Sequence, residues 1–251
     1  VACHERALVM PYAHVCVSAA VASELRQGWG LEATIIPNGV DSERFAAAAA
    51  STTTAAAARA SWRDRLGRYV VTVGGIEPRK GSLELLEAYA LLQATDPDVQ
   101  LVIAGGETLF DYRDYRARWE QRAAELAVSP VVLGPVDDEV LPSLVAAADV
   151  FAFPSVKEGF GLAPMEALAA GVPLVVSDLP VLREVFRDAA SYAAGPGVLA
   201  EELRAALDGH DDERQARGRE LAASYTWKAA AAAHLELYAK LATTSAKESP
   251  L

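Results

Sequence analysis

The chain has 251 residues, 52% hydrophobic and 23% charged, which suffices to build one large packed domain or two small ones. Its formal net charge of −11 works against nucleic-acid binding and against docking on anionic lipid, since an acidic surface repels both. Cys3 and Cys16 are the only cysteines, which implies no disulfide framework and fits thiols in a reducing cytoplasm, and no apolar run reaches the ~18–20 residues that span a bilayer.

Val1-Ala-Cys-His-Glu-Arg6 shows no secretory pattern, and a chain opening in mid-pattern reads as a piece of a longer protein. Residues 1–18 read as a helix tail followed by a short strand, His14–Ser18. Ser18 is placed to cap a helix through Arg26, with Gly28 and Gly30 as its stop. Thr34–Ile36 is a second short strand. Pro37-Asn38-Gly39-Val40-Asp41 is a loop, because the neighbours of Asn38-Gly39 do not alternate as hairpin strands do. Residues 46–58 are nearly all Ala, Ser and Thr and read as a low-complexity spacer or a helical patch without a packing face; a helix becomes credible from Arg59 to Leu66.

Tyr69–Val73 is continuous and β-branched, ends in Gly74-Gly75, and reads as a buried strand. Ser82 is placed to cap a helix to Gln93 that carries Leu85, Leu86, Tyr89 and Leu92. Val99–Ala104 repeats the strand and again ends in two glycines, before a charged helix over about 112–126. Val131–Leu133 leads to Gly134-Pro135-Val136, and Asp137-Asp138 begins a short helix to Ala147. A further strand ends at Pro154, a helix covers Leu162–Ala170, and another strand reaches Val176. A helix through Val185, a weak edge strand at 191–194 and helices over about 198–208, 211–223 and 227–242 follow, the last capped by Thr226; the polar tail from Thr243 reads as disordered. Strand, glycine loop and helix recurring at roughly 30-residue spacing point to parallel βαβ units and a doubly wound, Rossmann-like α/β sheet. Ligands in such sheets sit beyond the carboxyl ends of the strands, where these glycine loops lie.

Two loops carry candidate chemistry. Glu158-Gly-Phe-Gly-Leu162 precedes a helix with Pro164 in its first turn, so the amides of Phe160, Gly161, Leu162 and Ala163 form an anion site. Gly159 and Gly161 admit a ligand close to the backbone. Glu158, just before the helix, and Glu166, one turn inside it, are placed to face one cleft and accept paired hydroxyls; equally, Glu166 caps the helix and Glu158 is solvated. Arg79 and Lys80 follow a buried strand and can neutralise a pyrophosphate, or form a solvated pair at a helix start; cations oppose the helix dipole there, which favours the ligand role. His4, His14, His210 and His234 are scattered without metal-ligand spacing, and there is no nucleophile elbow, no Gly-Lys-Ser/Thr phosphate loop and no full dinucleotide fingerprint. Trp29, Trp62, Trp119 and Trp227 read as packing residues.

Three motifs in order resemble the C-terminal domain of the retaining, two-Rossmann-domain (GT-B) group 1 glycosyltransferases. Ile36-Pro-Asn-Gly-Val-Asp41 resembles the interdomain segment, Val73-Gly-Gly-Ile-Glu-Pro-Arg-Lys-Gly81 the phosphate loop, and Glu158…Glu166-Ala-Leu-Ala-Ala-Gly171 the Glu-x7-Glu motif. The resemblance spans roughly 8–240 and implies a hexose transferred from a nucleoside-diphosphate sugar, with no cofactor and no metal. It implies that Glu166 holds the ribose, Glu158 contacts the sugar, and Lys80 neutralises the diphosphate. The amides of Phe160, Gly161 and Leu162 contact sugar and phosphate, and Gly134 to Val136 border the base. Gly75 stands where the family often has arginine, for which Arg79 is the candidate replacement.

By the same resemblance, residues 1–36 are the remnant of an acceptor-binding N-terminal domain, 37–242 the nucleotide-sugar domain and 243–251 a tail. The missing domain is the expected partner and the route to any peripheral membrane contact, and the last helix would expose an apolar face open to self-association. A non-catalytic nucleotide-sugar or assembly module, and a related phosphorylase or epimerase, are the alternatives on this fold.

Overall fold

The computed structural model describes residues 2–106, 111–209 and 211–248, with only the backbone described at 2–5 and 244–248. His210 and the end of the predicted tail, 249–251, lie outside the described residues. Helix α1 (Ala2–Val9) precedes strands β1 (Val15–Cys16) and β2 (Thr34–Ile35), which pair in parallel apart from the main sheet. Between them, α2 (Ala19–Trp29) is capped by Ser18, whose hydroxyl accepts the Val21 N–H at 3.3 Å, and ends at Gly30 with φ 66°. Gly28 is inside this helix and stops nothing, because a glycine on an exposed helix costs only about 1 kcal/mol.

The Ala-rich stretch is not a spacer. It folds as α3 (Ser42–Ala49) and α4 (Thr53–Leu66), the latter capped by Thr52 accepting the Ala55 N–H at 3.3 Å. One side chain anchors α3: Phe45 is 1% exposed. The sheet then builds from β3 (Arg68–Val73), α5 (Ser82–Gln93), β4 (Val99–Ala104), α6 (Arg113–Glu125), β5 (Val131–Gly134), α7 (Leu141–Ala147) and β6 (Val150–Phe153). It closes with α8 (Leu162–Ala169), β7 (Leu174–Ser177), α9 (Pro180–Phe186), β8 (Ser191–Ala193), α10 (Gly195–Asp208), α11 (Asp212–Ser224) and α12 (Trp227–Glu248). Two predicted starts move: α7 begins at Leu141 after a turn, not at Asp137, and the cap of α5 is Gly81 rather than Ser82. Residues 243–248 continue α12 rather than opening a tail.

The six main strands are all parallel, in the order β5-β4-β3-β6-β7-β8, with Val70 opposite Leu101 on one side and Val150 on the other. Successive residues face opposite layers, as strand geometry requires. Val71, Val102, Phe151 and Val176 join the core under α3, α7, α8 and α9; Val70, Leu101, Ile103 and Val150 join the core under α5, α6 and α10. The strand order reverses between β3 and β6, which opens a crevice at their carboxyl ends. Both loops singled out in the sequence leave the sheet there.

Candidate functional site

After β3 the chain turns through Gly74 (φ 140°) and Gly75 into a 3₁₀ turn, Pro78–Lys80. The turn is held at both ends. Ser82 Oγ accepts the Glu77 N–H at 3.2 Å and donates to the Glu77 carbonyl at 3.3 Å. Gly81 sits at φ 63°, where a Cβ would run into the Pro154 carbonyl. The Arg79 carbonyl accepts the Val156 N–H at 2.9 Å, which fastens this turn to the loop after β6. Lys80 is thereby laid across the Phe153 ring, Nζ 4.7 Å from its centroid.

Glu158 is the hub. Its Oε1 accepts from Lys80 Nζ at 2.7 Å, Arg79 Nη1 at 2.7 Å and Ser155 Oγ at 3.2 Å. Arg79 also reaches Glu77 Oε1 at 3.1 Å. The Glu158 side chain is only 11% exposed, so this is an anchored carboxylate and the solvated reading falls away. Two cations and two carboxylates make a neutral cluster in which all three bonds fall on a single oxygen of Glu158. Arg79, Lys80 and Glu158, with Phe160, Gly161 and Leu162, line a cavity of about 410 Å³. The first turn of α8 opens onto it, and no side chain caps that helix.

Glu166 does not share this cavity. It does not cap α8 either. Its charged neighbours are Arg44 on α3 and Asp41 and Asp138, so it faces the other end of the crevice, beside the loop that follows β5. Burial pushes its carboxyl up to about 7, with Asp138 and Asp41 adding to the rise and Arg44 opposing it. Gly134, at φ 72°, ends β5, and Val136 lies in the loop that follows it. The predicted site residues therefore fall into two groups: Arg79, Lys80, Glu158 and the 160–162 amides at one end, Glu166 and the 134–136 loop at the other. Gly75 lines a small cleft with Gly74, Lys80 and Ser82, and a Cβ on the neighbouring Gly105 would meet the Gly75 nitrogen at 2.8 Å.

Sequence reasoning missed several participants. Ser155 is fully buried under Glu158, and Phe153 carries Lys80. Val17 and Asn38, from the far N-terminal part of the chain, also line the cavity. A serine three residues before Glu158 was a usable signal; nothing local announces Val17. Trp62 and Trp119 are packing residues, each donating its indole N–H at 3.0 Å, to Ser143 and to the Ser82 carbonyl. Trp29 and Trp227 are not, being 46% and 55% exposed. Among the described residues no group of three or more His, Cys, Asp or Glu could hold a metal ion, and no helix is long and apolar enough to cross a membrane.

Residues 59–220 match the family model described as glycosyl transferases group 1, which takes in the second half of α4, the 3₁₀ turn Pro78–Lys80 and the whole Glu158–Glu166 unit. The chain belongs to the group 1 glycosyl transferases. It is 32% identical over 244 residues to a phosphatidyl-myo-inositol mannosyltransferase of Mycolicibacterium smegmatis, covering 92% of this chain and 59% of that protein. It is 29% identical over 234 residues to a GDP-mannose-dependent alpha-(1-6)-phosphatidylinositol dimannoside mannosyltransferase of Mycobacterium tuberculosis, covering 92% of this chain and 58% of that one. Sucrose-phosphate synthase from Thermosynechococcus elongatus superposes with a TM-score of 0.78 at 24% identity, over 96% of this chain and 61% of that structure. The chain thus spans about three fifths of the length of these relatives, and its six-stranded parallel sheet is that of the C-terminal Rossmann-like domain of the GT-B fold.

Proposed function

We propose that this chain is the donor-binding part of a retaining hexosyltransferase, which takes a nucleoside-diphosphate hexose and passes the sugar to an acceptor held by a further domain. Residues 37–242 form the donor unit and 1–36 belong with the acceptor side. GDP-mannose is the donor the relatives favour, since one of them is a GDP-mannose-dependent enzyme. One observation carries the reading: the Lys80–Glu158–Arg79 cluster stands at the strand-order reversal, in a cavity onto which an uncapped helix opens.

The two ends of the crevice suit the two ends of such a donor. Glu166 accepts hydrogen bonds from the ribose, with Gly134 and Val136 beside the base. The diphosphate lies against Lys80, Arg79 and the amides of Phe160, Gly161 and Leu162. When the bond from the anomeric carbon to the diphosphate oxygen breaks, negative charge gathers on the leaving group. Fixed cations and a helix N-terminus stabilise that charge without a metal ion. Glu158 presents its second oxygen to the sugar hydroxyls while its first oxygen holds both cations in place. No cofactor is called on. Membrane contact, where it occurs, is made by the further domain, and the enzyme works in the cytoplasm.

Glu158→Gln separates the roles. It releases Lys80 and Arg79 from a competing anion, so calorimetry should show GDP bound as well as or better than by wild type, while the extra affinity that GDP-mannose has over GDP falls. Equal loss for both ligands would count against the assignment of Glu158 to the sugar. A donor-binding or assembly module without transfer is the second reading, favoured by the mutual neutralisation of the cluster. A phosphorylase or epimerase would instead turn over a free sugar phosphate or the nucleotide-sugar alone.

A further inference from the structure

Glu184 stands on α9, outside the donor cavity, yet it ties α9 to the N-terminal part of the chain. Its Oε1 accepts the Ala19 N–H at 2.7 Å and its Oε2 accepts the Ala20 N–H at 2.8 Å. We propose that Glu184 is a positioning residue for donor binding: by holding the first turn of α2 it seats Val17 and Val21 on Gly159, and so fixes the loop that enters α8. This rests on the donor reading of the cavity.

The clamp follows from helix chemistry. The first amides of a helix have no partner inside it. In α2, Glu184 takes those of Ala19 and Ala20, and Ser18 Oγ takes that of Val21. The helix dipole favours a carboxylate there, and hydrogen bonds to a charged acceptor are stronger than neutral ones. Among the described residues these two amides are the only hydrogen-bond partners of Glu184. The bonds span 165 and 164 residues and join two parts of the chain that share no strand pairing, since β1 and β2 pair apart from the main sheet.

The base of the clamp is firm. On α9, Val181, Leu182, Val185 and Phe186 are buried, and Arg183 Nη2 donates to Asp178 Oδ2 at 2.8 Å. Two residues after Glu184, Phe186 backs the donor loop: a Cβ on Gly161 would meet its Cζ at 3.0 Å. On the α2 side, a Cβ on Gly159 would meet methyl carbons of Val17 and Val21 at 3.4 and 3.7 Å. Gly161 is therefore supported from α9 and Gly159 from the start of α2, and Glu184 is the polar link between the two supports. Since α8 starts from Gly161 at φ 96° without a side-chain cap, packing from outside sets where the amides of this loop point.

An ordered loop has less freedom left to lose when it meets a ligand. Release of the clamp should therefore weaken the contacts this loop makes, to the sugar and the diphosphate, and spare those at the Glu166 end of the crevice.

The test is calorimetry of GDP-mannose and GMP on the 251-residue chain as wild type, Glu184→Ala, Glu184→Gln, Val21→Ala and the Glu184→Ala/Val21→Ala double variant, with melting temperatures for each. Glu184→Ala should bind GDP-mannose about three- to tenfold more weakly, with GMP affinity unchanged. Glu184→Gln keeps one acceptor oxygen and should fall between Glu184→Ala and wild type; it also gives the comparison if the alanine variant does not fold. The double variant should bind GDP-mannose no more weakly than Glu184→Ala, because both changes break one support. A merely structural role would lower the melting temperature without separating the two ligands. GDP-mannose affinity unchanged in Glu184→Ala, both ligands weakened alike, or losses that add in the double variant would overturn the inference. If Lys80→Ala weakens GDP-mannose binding while the Glu184 variants do not, only the inference falls. If wild type does not bind GDP-mannose, the donor reading falls and takes the inference with it.

Discussion

Glu166 offers a test in which stability and binding move in opposite directions. Its carboxyl is raised from an ordinary 4.5 to about 7, chiefly by burial. The folded chain therefore keeps a proton that the unfolded chain has already released, and folding loses stability as pH climbs from the lower value through the upper one. The full shift corresponds to at most about 3 kcal/mol. Glu166 is only half-buried, and solvent screening cuts that to about 1–2 kcal/mol. Glu166→Gln has no proton to lose, so the variant should melt a few degrees above wild type at pH 8, at about 2–4 °C per kcal/mol for a chain of this size. At pH 5 the two should melt together. Calorimetric scans from pH 5 to 8.5 measure this directly. Nucleoside affinity should do the reverse: that of wild type should rise as Glu166 ionises through pH 7, and that of the variant should be weaker and flat. A melting-temperature difference that is the same at pH 5 and pH 8 would refute the buried-carboxylate argument.

Other consequences can be checked alongside. Phe45→Ala should cost about 3–5 kcal/mol in denaturant unfolding, because this ring alone seats α3; a change below 1 kcal/mol would return the Ala-rich stretch to spacer status. Gly81→Ala must place a methyl on the Pro154 carbonyl at φ 63°, so it should destabilise by at least about 2 kcal/mol and weaken GDP binding, whereas a neutral result would mean that the Pro78–Lys80 turn is not locked to the loop after β6. Ser155→Ala removes one of three donors to Glu158 and should cost about 0.5–1.5 kcal/mol, seen as weaker GDP-mannose binding with GDP binding little changed; weakening of GDP alone would contradict the proposed positioning role.

How much of this was legible in the sequence depended on whether a signal was local. Tyr69–Val73 with its two glycines announces a buried strand because continuity and β-branching are properties of neighbours in the chain. The spacing of Glu158 from Glu166 follows from one helix. The same reasoning placed the start of α2 at its Ser18 cap but ended the helix early, since a lone glycine at 28 looks like a stop until packing is known. Residues 46–58 gave no helical period because Ala and Thr define no face; Phe45 and the Thr52 cap do that work from just outside or within the run. The ion pairs of Glu158 join residues 78 and 79 positions apart, and no pattern within either loop reveals that the two loops meet. Glu158 and Glu166 look like a matched pair in sequence, yet Glu158 is tied to Lys80, Arg79 and Ser155 while the charged neighbours of Glu166 are Arg44, Asp138 and Asp41. Asn38 was readable as a turn residue only; its place in the cavity depends on α12 returning to cover Gly39.

The central claim is that Lys80 and its neighbours form a diphosphate site. The most direct measurement is the difference in affinity between GDP and GMP for wild type and for Lys80→Ala. The account predicts that wild type prefers GDP and that the variant loses about 1–3 kcal/mol of that preference while its GMP affinity is unchanged. Equal affinity for the two nucleotides in wild type, or a preference that survives the loss of Lys80, would contradict it.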